Sequence, residues 1–317
     1  MATPSLAMIP SGYKDGTLYS VLPNTAGGDF DVTRGSLATR VNSNGLIEPV
    51  GTLGADVVLN GDFEETGADQ VLNGDFSQEG SEEITNGDFA TDSNWTKGTG
   101  WTISGGTANC DGTQTSSTAM VQETVTNSNT NVKVSFTISG YVSGLIKVRN
   151  SGGFSGTYVS GNGTYVFYVN TGVATNIVLD ADASFVGSVD NVSVVEVGQN
   201  WSLNSKWSII DNAARLVSAD SAASTLSQDN VFTVGKNYKI TLDAVVVSGI
   251  AKISGLGGTF IESIDETKTY SIYWVADTTT LTFNRQSTVS DITITNITVE
   301  EVGQEWTLSD GVSITAQ

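Results

Sequence analysis

Residues 190–201 read DNVSVVEVGQNW, and residues 295–306 read TNITVEEVGQEW, an offset of 105. Other segments return in the same order at nearly the same spacing. NVKVSF at 131–136 comes back as NYKITL at 237–242, VSGLIKV at 142–148 as VSGIAKI at 247–253, and TYVFYV at 164–169 as TYSIYW at 269–274. Asn94-Trp95 with a second Trp101 comes back as Asn200-Trp201 with Trp207. Ordered matches at one offset mean two homologous modules. They are placed at 84–198 and 199–317, and the end, EVGQEWTLSDGVSITAQ, reads as a partial third copy that closes the last module.

Within each module the pattern is strand throughout. KVSFTIS, TYVFYVN, VDNVSVVEV, YKITLDAVVV and DITITNITVEEV are rich in Val, Ile, Thr, Phe and Tyr and alternate in polarity. No stretch offers a capped helical face. Many short strands and glycine turns in about 105 residues point to an all-β chain of tandem β-sandwich modules, most simply jelly rolls.

Before the modules lies a shorter repeat. VLNGDFEETGADQ (58–70), VLNGDFSQEGSEE (71–83) and ITNGDFATDSNWT (84–96) follow one another with a period of 13 residues. Asn-Gly between apolar residues is a turn signal. Residues 51–83 therefore read as a spacer or stalk of strand–turn units. All four prolines, Pro4, Pro10, Pro23 and Pro49, fall in the first 50 residues, which sets 1–50 apart as an extended N-terminal region. FDVT and ATRV in it read as short strands, and Asn42–Gly45 as a turn.

Composition excludes several functions. Lys and Arg number 14 against 34 Asp and Glu, a net charge of −20, so nucleic acid and anionic membrane surfaces are poor partners. Histidine is absent, which removes the usual general base and the commonest metal ligand. The single cysteine, Cys110, allows no internal disulfide and sits where Leu216 sits in the second module, so it reads as a core residue. No apolar run is long enough to span a membrane, and the start lacks a basic segment followed by an apolar one, so no secretory signal is expected. Paired carboxylates are too easily found by chance in so acidic a chain to support a glycosidase, and the chain is expected not to be an enzyme.

Three groups of residues stand out. Trp95, Trp201 and Trp306 occupy matching positions, as do Trp101 and Trp207, and read as framework. Trp274 has Val169 as its counterpart, and with Tyr273 and Tyr270 it forms a candidate carbohydrate platform in the second module. Asn86, Asp88 and Asp190 offer oxygens near one end of the first module and are the candidate ligands for Ca2+. The acidic cluster Glu64, Glu65, Glu79, Glu82 and Glu83 reads as a solvated face.

The ITNGDF opening, the Trp-containing segment after it and the VDNVSVVEV close resemble the carbohydrate-binding-module-like jelly-roll domains of families 4 and 9. That resemblance covers most of 84–305. It implies a sandwich fold, binding to glycans and a calcium site in module 1. The second copy departs from the pattern: it opens with VGQNWS and no NGDF, and Asn296 stands where the family has an acidic residue, so it is expected to lack the ion. Residues 1–50, with PSLAMIPSGYKDGTLYSVLP and GDFDVTRGSLATRVNSNGLIEPV, resemble the start of bacteriophage structural proteins. That resemblance implies particle attachment through Arg34, Arg40, Asn44, Gly45, Leu46 and Glu48, other virion proteins as partners, a homotrimer, and a place on the virion after assembly in a host cytoplasm. Together these readings give a structural phage head or tail fibre. The alternative is a carbohydrate-binding adhesin that recognises surface glycans.

Overall fold

The computed structural model describes residues 10–14, 17–20, 39–41, 45, 47–49, 59–60, 65–204, 206–255, 259–306 and 314. The chain divides into two compact units, Met1–Gly61 and Asp62–Gln317. In the first, β1 (Pro10–Lys14) pairs with β2 (Thr17–Ser20), and β3 (Thr39–Val41) with β4 (Ile47–Pro49), both antiparallel. The expected strand ATRV is β3, whereas FDVT lies outside the described residues. Gly45, between β3 and β4, has φ 76°, a conformation glycine adopts without a Cβ penalty.

The second unit opens with β5 (Thr66–Asp69) and β6 (Glu79–Glu82). Module 1 follows with β7 (Thr96–Lys97), β8 (Trp101–Ser104), β9 (Thr107–Asp111), β10 (Thr118–Gln122), β11 (Asn131–Ser143), β12 (Ile146–Arg149), β13 (Gly163–Asn170), β14 (Ile177–Ala181) and β15 (Val186–Val197). Module 2 holds β16 (Ser202–Leu203), β17 (Trp207–Ile210), β18 (Ala213–Ser218), β19 (Thr225–Gln228), β20 (Asn237–Ser248), β21 (Ala251–Gly255), β22 (Phe260–Ile264), β23 (Lys268–Val275), β24 (Leu281–Arg285) and β25 (Ser290–Val302). Every pairing among them is antiparallel, and no helix occurs among the described residues, so the all-β expectation holds.

Each module has a smaller and a larger sheet. In module 1 the orders are β12-β14-β10-β7 and β13-β11-β15-β9-β8; in module 2 they are β16-β19-β24-β21-β22 and β17-β18-β25-β20-β23. Strand alternation sends one face of each sheet inward. Val132, Val134, Phe136 and Ile138 of β11 and Tyr238, Ile240, Leu242 and Ala244 of β20 are all buried. They meet Ile146, Val148 and Leu179, or Ile253, Leu281 and Phe283, from the opposing sheet in one core per module. Full burial of such side chains contributes about 1.5–3 kcal/mol each. Turn chemistry fits the same plan. Asp211 and Asn212 (φ 50° and 58°) join β17 to β18, and Gly105 and Gly106 (φ 66° and 77°) join β8 to β9. Both are two-residue hairpin turns with both centres left-handed.

The strand–turn units are placed differently from the expected spacer. β5 joins the larger sheet of module 2, with Asp69 opposite Glu300 on β25, and β6 joins that of module 1, with Glu82 opposite Val195 on β15. Val71 and Phe76 lie in the core of module 2, and Ile84 and Phe89 in that of module 1. Module 2 is therefore discontinuous, and module 1 is inserted within it. The departure noted in the sequence, a second copy without NGDF, is corrected by this placement: residues 73–76 supply it.

The two units are seated alike. Asp69 Oδ1 accepts the N–H groups of Val71 and Val299 at 3.0 and 2.9 Å, and Glu82 Oε1 those of Ile84 and Val194 at 2.9 and 2.8 Å. The buried Gln228 side chain brackets the backbone of Leu72, and Gln122 that of Thr85. Trp201 Nε1 donates to Asn73 O and Trp95 Nε1 to Asn86 O, both at 3.0 Å. The glycines are required by close approach. A Cβ on Gly74 would lie 2.0 Å from the carbonyl oxygen of Ile297, and one on Gly87 would lie 1.9 Å from that of Val192. Those carbonyls follow Asn296 and Asn191, left-handed at φ 53° and 51°, where β25 and β15 bulge.

Candidate functional site

On β23 the side chains alternate. Tyr270, Ile272 and Trp274 face the core of module 2, and Tyr273 faces away. Trp274 stands edge-on to Phe232, centroids 5.0 Å apart. Tyr270 is buried; its hydroxyl accepts the N–H groups of Asp265 and Glu266 and donates to the carbonyl of Glu266. The three aromatics thus share no platform, because residues 273 and 274 cannot face the same side of one strand.

The Ca2+ candidates are engaged in local turns. The Asn86 amide donates to the carbonyls of Thr91 and Ser93 and accepts the Thr91 N–H. Asp88 accepts from Ala90 N–H, and Asp190 from its neighbour Asn191. Among the described residues no three acidic or cysteine side chains gather as a metal site. The register also makes Thr295, not Asn296, the counterpart of Asp190, since Thr295 faces Asp243 as Asp190 faces Thr137. Of the attachment residues, Arg34, Asn44 and Leu46 lie outside the described residues. Arg40 and Glu48 face one another in the β3–β4 ladder, and Gly45 lies between those strands.

Four tryptophans, Trp95, Trp101, Trp201 and Trp207, are buried, but Trp306 is 41% exposed and departs from the framework reading. Cys110 is buried beside Gln114, and burial pushes its thiol pKa up, away from reactivity.

A different set of residues converges on the outer face of module 2's smaller sheet. Ser202, Ser227, Thr282, Ser254 and Phe260 are successive cross-strand partners on five strands. The next row is Thr225, Asn284, Lys252 and Ser263. Leu226, Phe283 and Ile253, between the rows, point into the core. Asn284 Nδ2 donates to Ser254 Oγ at 2.6 Å. Thr282 is only 5% exposed, and its hydroxyl has no partner. Phe260 is 54% exposed at the end of the row, and Lys252 makes no ion pair among the described residues. This face was missed in the sequence because its members come from five separate strands and, Phe260 and Lys252 apart, each is an ordinary serine, threonine or asparagine.

Module 1 carries different chemistry at the same positions. Its rows are Thr96, Val121, Val178 and Arg149, then Ala119, Asp180 and Lys147. Arg149 Nε lies 3.3 Å from Asp180, and Lys147 Nζ sits 4.4 Å above the ring of Tyr158. At the β7 edge is a shallow cleft of about 370 Å³ lined by hydroxyls, among them Thr96, Thr99, Thr115 and Ser116.

No family model matches the chain, and no curated protein matches it. Solved structures resemble it in arrangement alone. A tandem of two CBM22 modules from Paenibacillus barcinonensis is 10% identical with a TM-score of 0.30, over 70% of this chain and 98% of that one. The secreted serine protease VesC of Vibrio cholerae is 10% identical with a TM-score of 0.26, over 58% of this chain and 47% of that one. A triple jelly-roll turret protein of an archaeal virus is 14% identical with a TM-score of 0.20, over 66% and 59%. Allantoicases and GH2 glycosidases match in the same way. The chain thus has a distant likeness to carbohydrate-binding-module-like β-sandwiches and to a viral jelly-roll protein, without a phage-specific match.

The reading as a structural phage fibre is corrected on two grounds. β5 and β6, which fall within the segment assigned to its stalk, pair with β25 and β15 of the two sandwiches. The matched structures named above are enzymes, a binding-module tandem and an archaeal-virus turret protein, and none of them is a phage fibre.

Proposed function

We propose that the chain is a carbohydrate-binding adhesin built on two jelly rolls, with the outer face of module 2's smaller sheet as its ligand face. The observation that carries this reading is the row Ser202–Ser227–Thr282–Ser254, ending at exposed Phe260, with the hydroxyl of buried Thr282 unpartnered. A buried hydroxyl left without a bond costs about 1–3 kcal/mol, and a ligand hydroxyl would recover it. Saccharides offer the matching chemistry. Their ring C–H groups stack on an aromatic face, and their hydroxyls both donate to and accept from Ser, Thr and Asn. Lys252 adds one donor for a ring oxygen or a sugar carboxylate. The two rows offer hydroxyls, an amide, an aromatic ring and one ammonium and no carboxylate, so the face suits binding rather than turnover.

The test is a broad panel of neutral and acidic glycans against the purified chain, followed by titration calorimetry on any hit. Binding in the micromolar to millimolar range, weakened at least tenfold by Thr282→Val and by Phe260→Ala, is expected. Absence of binding across the panel, or binding indifferent to both substitutions, would remove the reading.

A further inference from the structure

The hydroxyl row of module 2 ends at Ser202 on β16, an edge strand of the smaller sheet. Beyond that edge lies a pocket of about 280 Å³ between the modules, and Ser202 lines it too. Module 1 supplies Thr130, Asn131 and Glu196, from where β11 begins and β15 ends. Val197 and Trp201, both in the core of module 2, line it as well. These walls are fixed. Glu196 stands opposite Val132, and Asn131 opposite Asn170, whose amide donates to Asn131 Oδ1 at 3.2 Å. Trp201 is held by its bond to Asn73 O. The polar groups themselves are open. Among the described residues the half-buried Glu196 carboxylate has neither an ion pair nor a hydrogen bond. Asn131 Nδ2 and the hydroxyls of Thr130 and Ser202 bond to no other described residue.

We propose that this pocket receives the terminal unit of the glycan that crosses the hydroxyl row, and that it accepts a neutral or amino sugar there and rejects an acidic one. The inference rests on the ligand face proposed above and adds the length and the charge order of what binds to it. From Phe260 on β22 to Ser202 on β16 the path crosses five strands, about 19 Å at the usual spacing of about 4.8 Å, so it holds several sugar units in line. The two ends of that path differ in charge. Lys252 stands on β21, beside the Phe260 end, and Glu196 lies at the pocket end. A half-buried carboxylate without a cation repels a second carboxylate and attracts an ammonium or a hydroxyl donor. Asn131 Nδ2, Thr130 and Ser202 complete the hydrogen bonds of the sugar's hydroxyls. An acidic group is thus matched at Lys252 and mismatched at Glu196. Because β11 and β15 belong to module 1 and β16 to module 2, the complete site needs both modules.

The test is titration calorimetry on the full chain with a graded set of saccharides: glucose, galactose, mannose and xylose oligomers, each as dimer and hexamer, and each hexamer also ending in an amino sugar or a uronic acid. Hexamers with a neutral or amino end should bind about tenfold or more tighter than dimers, and those ending in a uronic acid at the pocket should bind more weakly. Glu196→Gln should bring the uronic-acid hexamers level with the neutral ones and cost the amino-ended ones about tenfold. Its melting temperature should match the parent's, since the carboxylate bonds to nothing within the described chain. Asn131→Ala should shrink the advantage of hexamers over dimers, whereas Thr282→Val should weaken both lengths. Dimers that bind as tightly as hexamers, or a Glu196→Gln chain that ranks the three endings as the parent does, would overturn the inference. If Thr282→Val still weakens binding in that case, the ligand face stands without it. Absence of binding to every member of the set would remove the ligand face, and this inference with it.

Discussion

The two modules share strand order, turn geometry and the seat for an NGDF unit, yet they differ in how the chain completes them and in what their smaller sheets present. Module 1 takes its opening strand from the residues just before it; module 2 takes its own from residues more than a hundred positions upstream. On the smaller sheets, Val178 and the Arg149–Asp180 pair of module 1 face Thr282, Ser254 and Asn284 at the same places in module 2. One face pairs its own charges, and the other leaves the buried Thr282 hydroxyl without a partner. Duplication kept the interior and the latch, where packing tolerates little change, and let the outward rows diverge.

The largest test of that comparison is to cut the chain at its nesting points. A fragment of residues 79–198 holds every strand of module 1 and should fold alone. A fragment of 199–305 lacks β5, Val71 and Phe76 and should be unfolded or molten; a peptide of residues 65–78 should restore its cooperative melting. Circular dichroism and Trp201 fluorescence report both outcomes. A stable 199–305 without peptide would mean that the upstream strand is an ornament rather than a part.

Next in size is Gly87→Val. The added side chain meets the Val192 carbonyl. A loss of about 3 kcal/mol or more in urea denaturation is expected, in the range of core overpacking and disrupted backbone seating.

Much of this architecture can be read from the residues. The 105-residue offset locates both bodies, and alternation in NVKVSF and NYKITL names the core residues that β11 and β20 bury. The nesting was hidden because the Asn73 carbonyl meets Trp201 across a whole inserted module, a contact that no local pattern encodes. A signal did exist: two NGDF units, at 73–76 and 86–89, are followed by Trp95 and Trp201, so units and bodies could have been matched outside in. The aromatic trio failed for a simpler reason. TYSIYW alternates, so Tyr273 and Trp274 had to part company. The hydroxyl row stayed invisible because cross-strand register, not spacing along the chain, assembles it.

A sharper and smaller effect is expected at that row. Thr282→Val removes a buried hydroxyl that has no partner, so stability should hold or rise by up to about 1 kcal/mol while glycan affinity falls at least tenfold. The same swap in reverse, Val178→Thr in module 1, buries a new hydroxyl and should cost stability without creating binding, because Arg149 and Asp180 occupy the neighbouring positions. Thermal melts and calorimetry on the two variants separate the roles of the two faces.

The smallest expected difference is in acid. In module 2, Asp243 accepts the Asn296 amide at 2.7 Å and the Thr269 hydroxyl at 2.5 Å, bonds that hold its carboxyl below the ordinary value of 3.8. Module 1 has Thr137 in place of Asp243, bonded to the Thr164 hydroxyl at 3.0 Å, so the equivalent tie involves no carboxylate. Because the folded-state pKa is depressed, the tie contributes in full above pH 3.8 and is lost as pH falls through the folded value. The group is close to solvent, so the contribution is about 0.5 kcal/mol. Asp243→Asn should therefore remove a small part of the acid sensitivity of module 2 below pH 3.8 and leave an excised module 1 as the unchanged reference. Melting curves taken across that range, variant against parent, would show whether the ties that differ between the modules are felt at all.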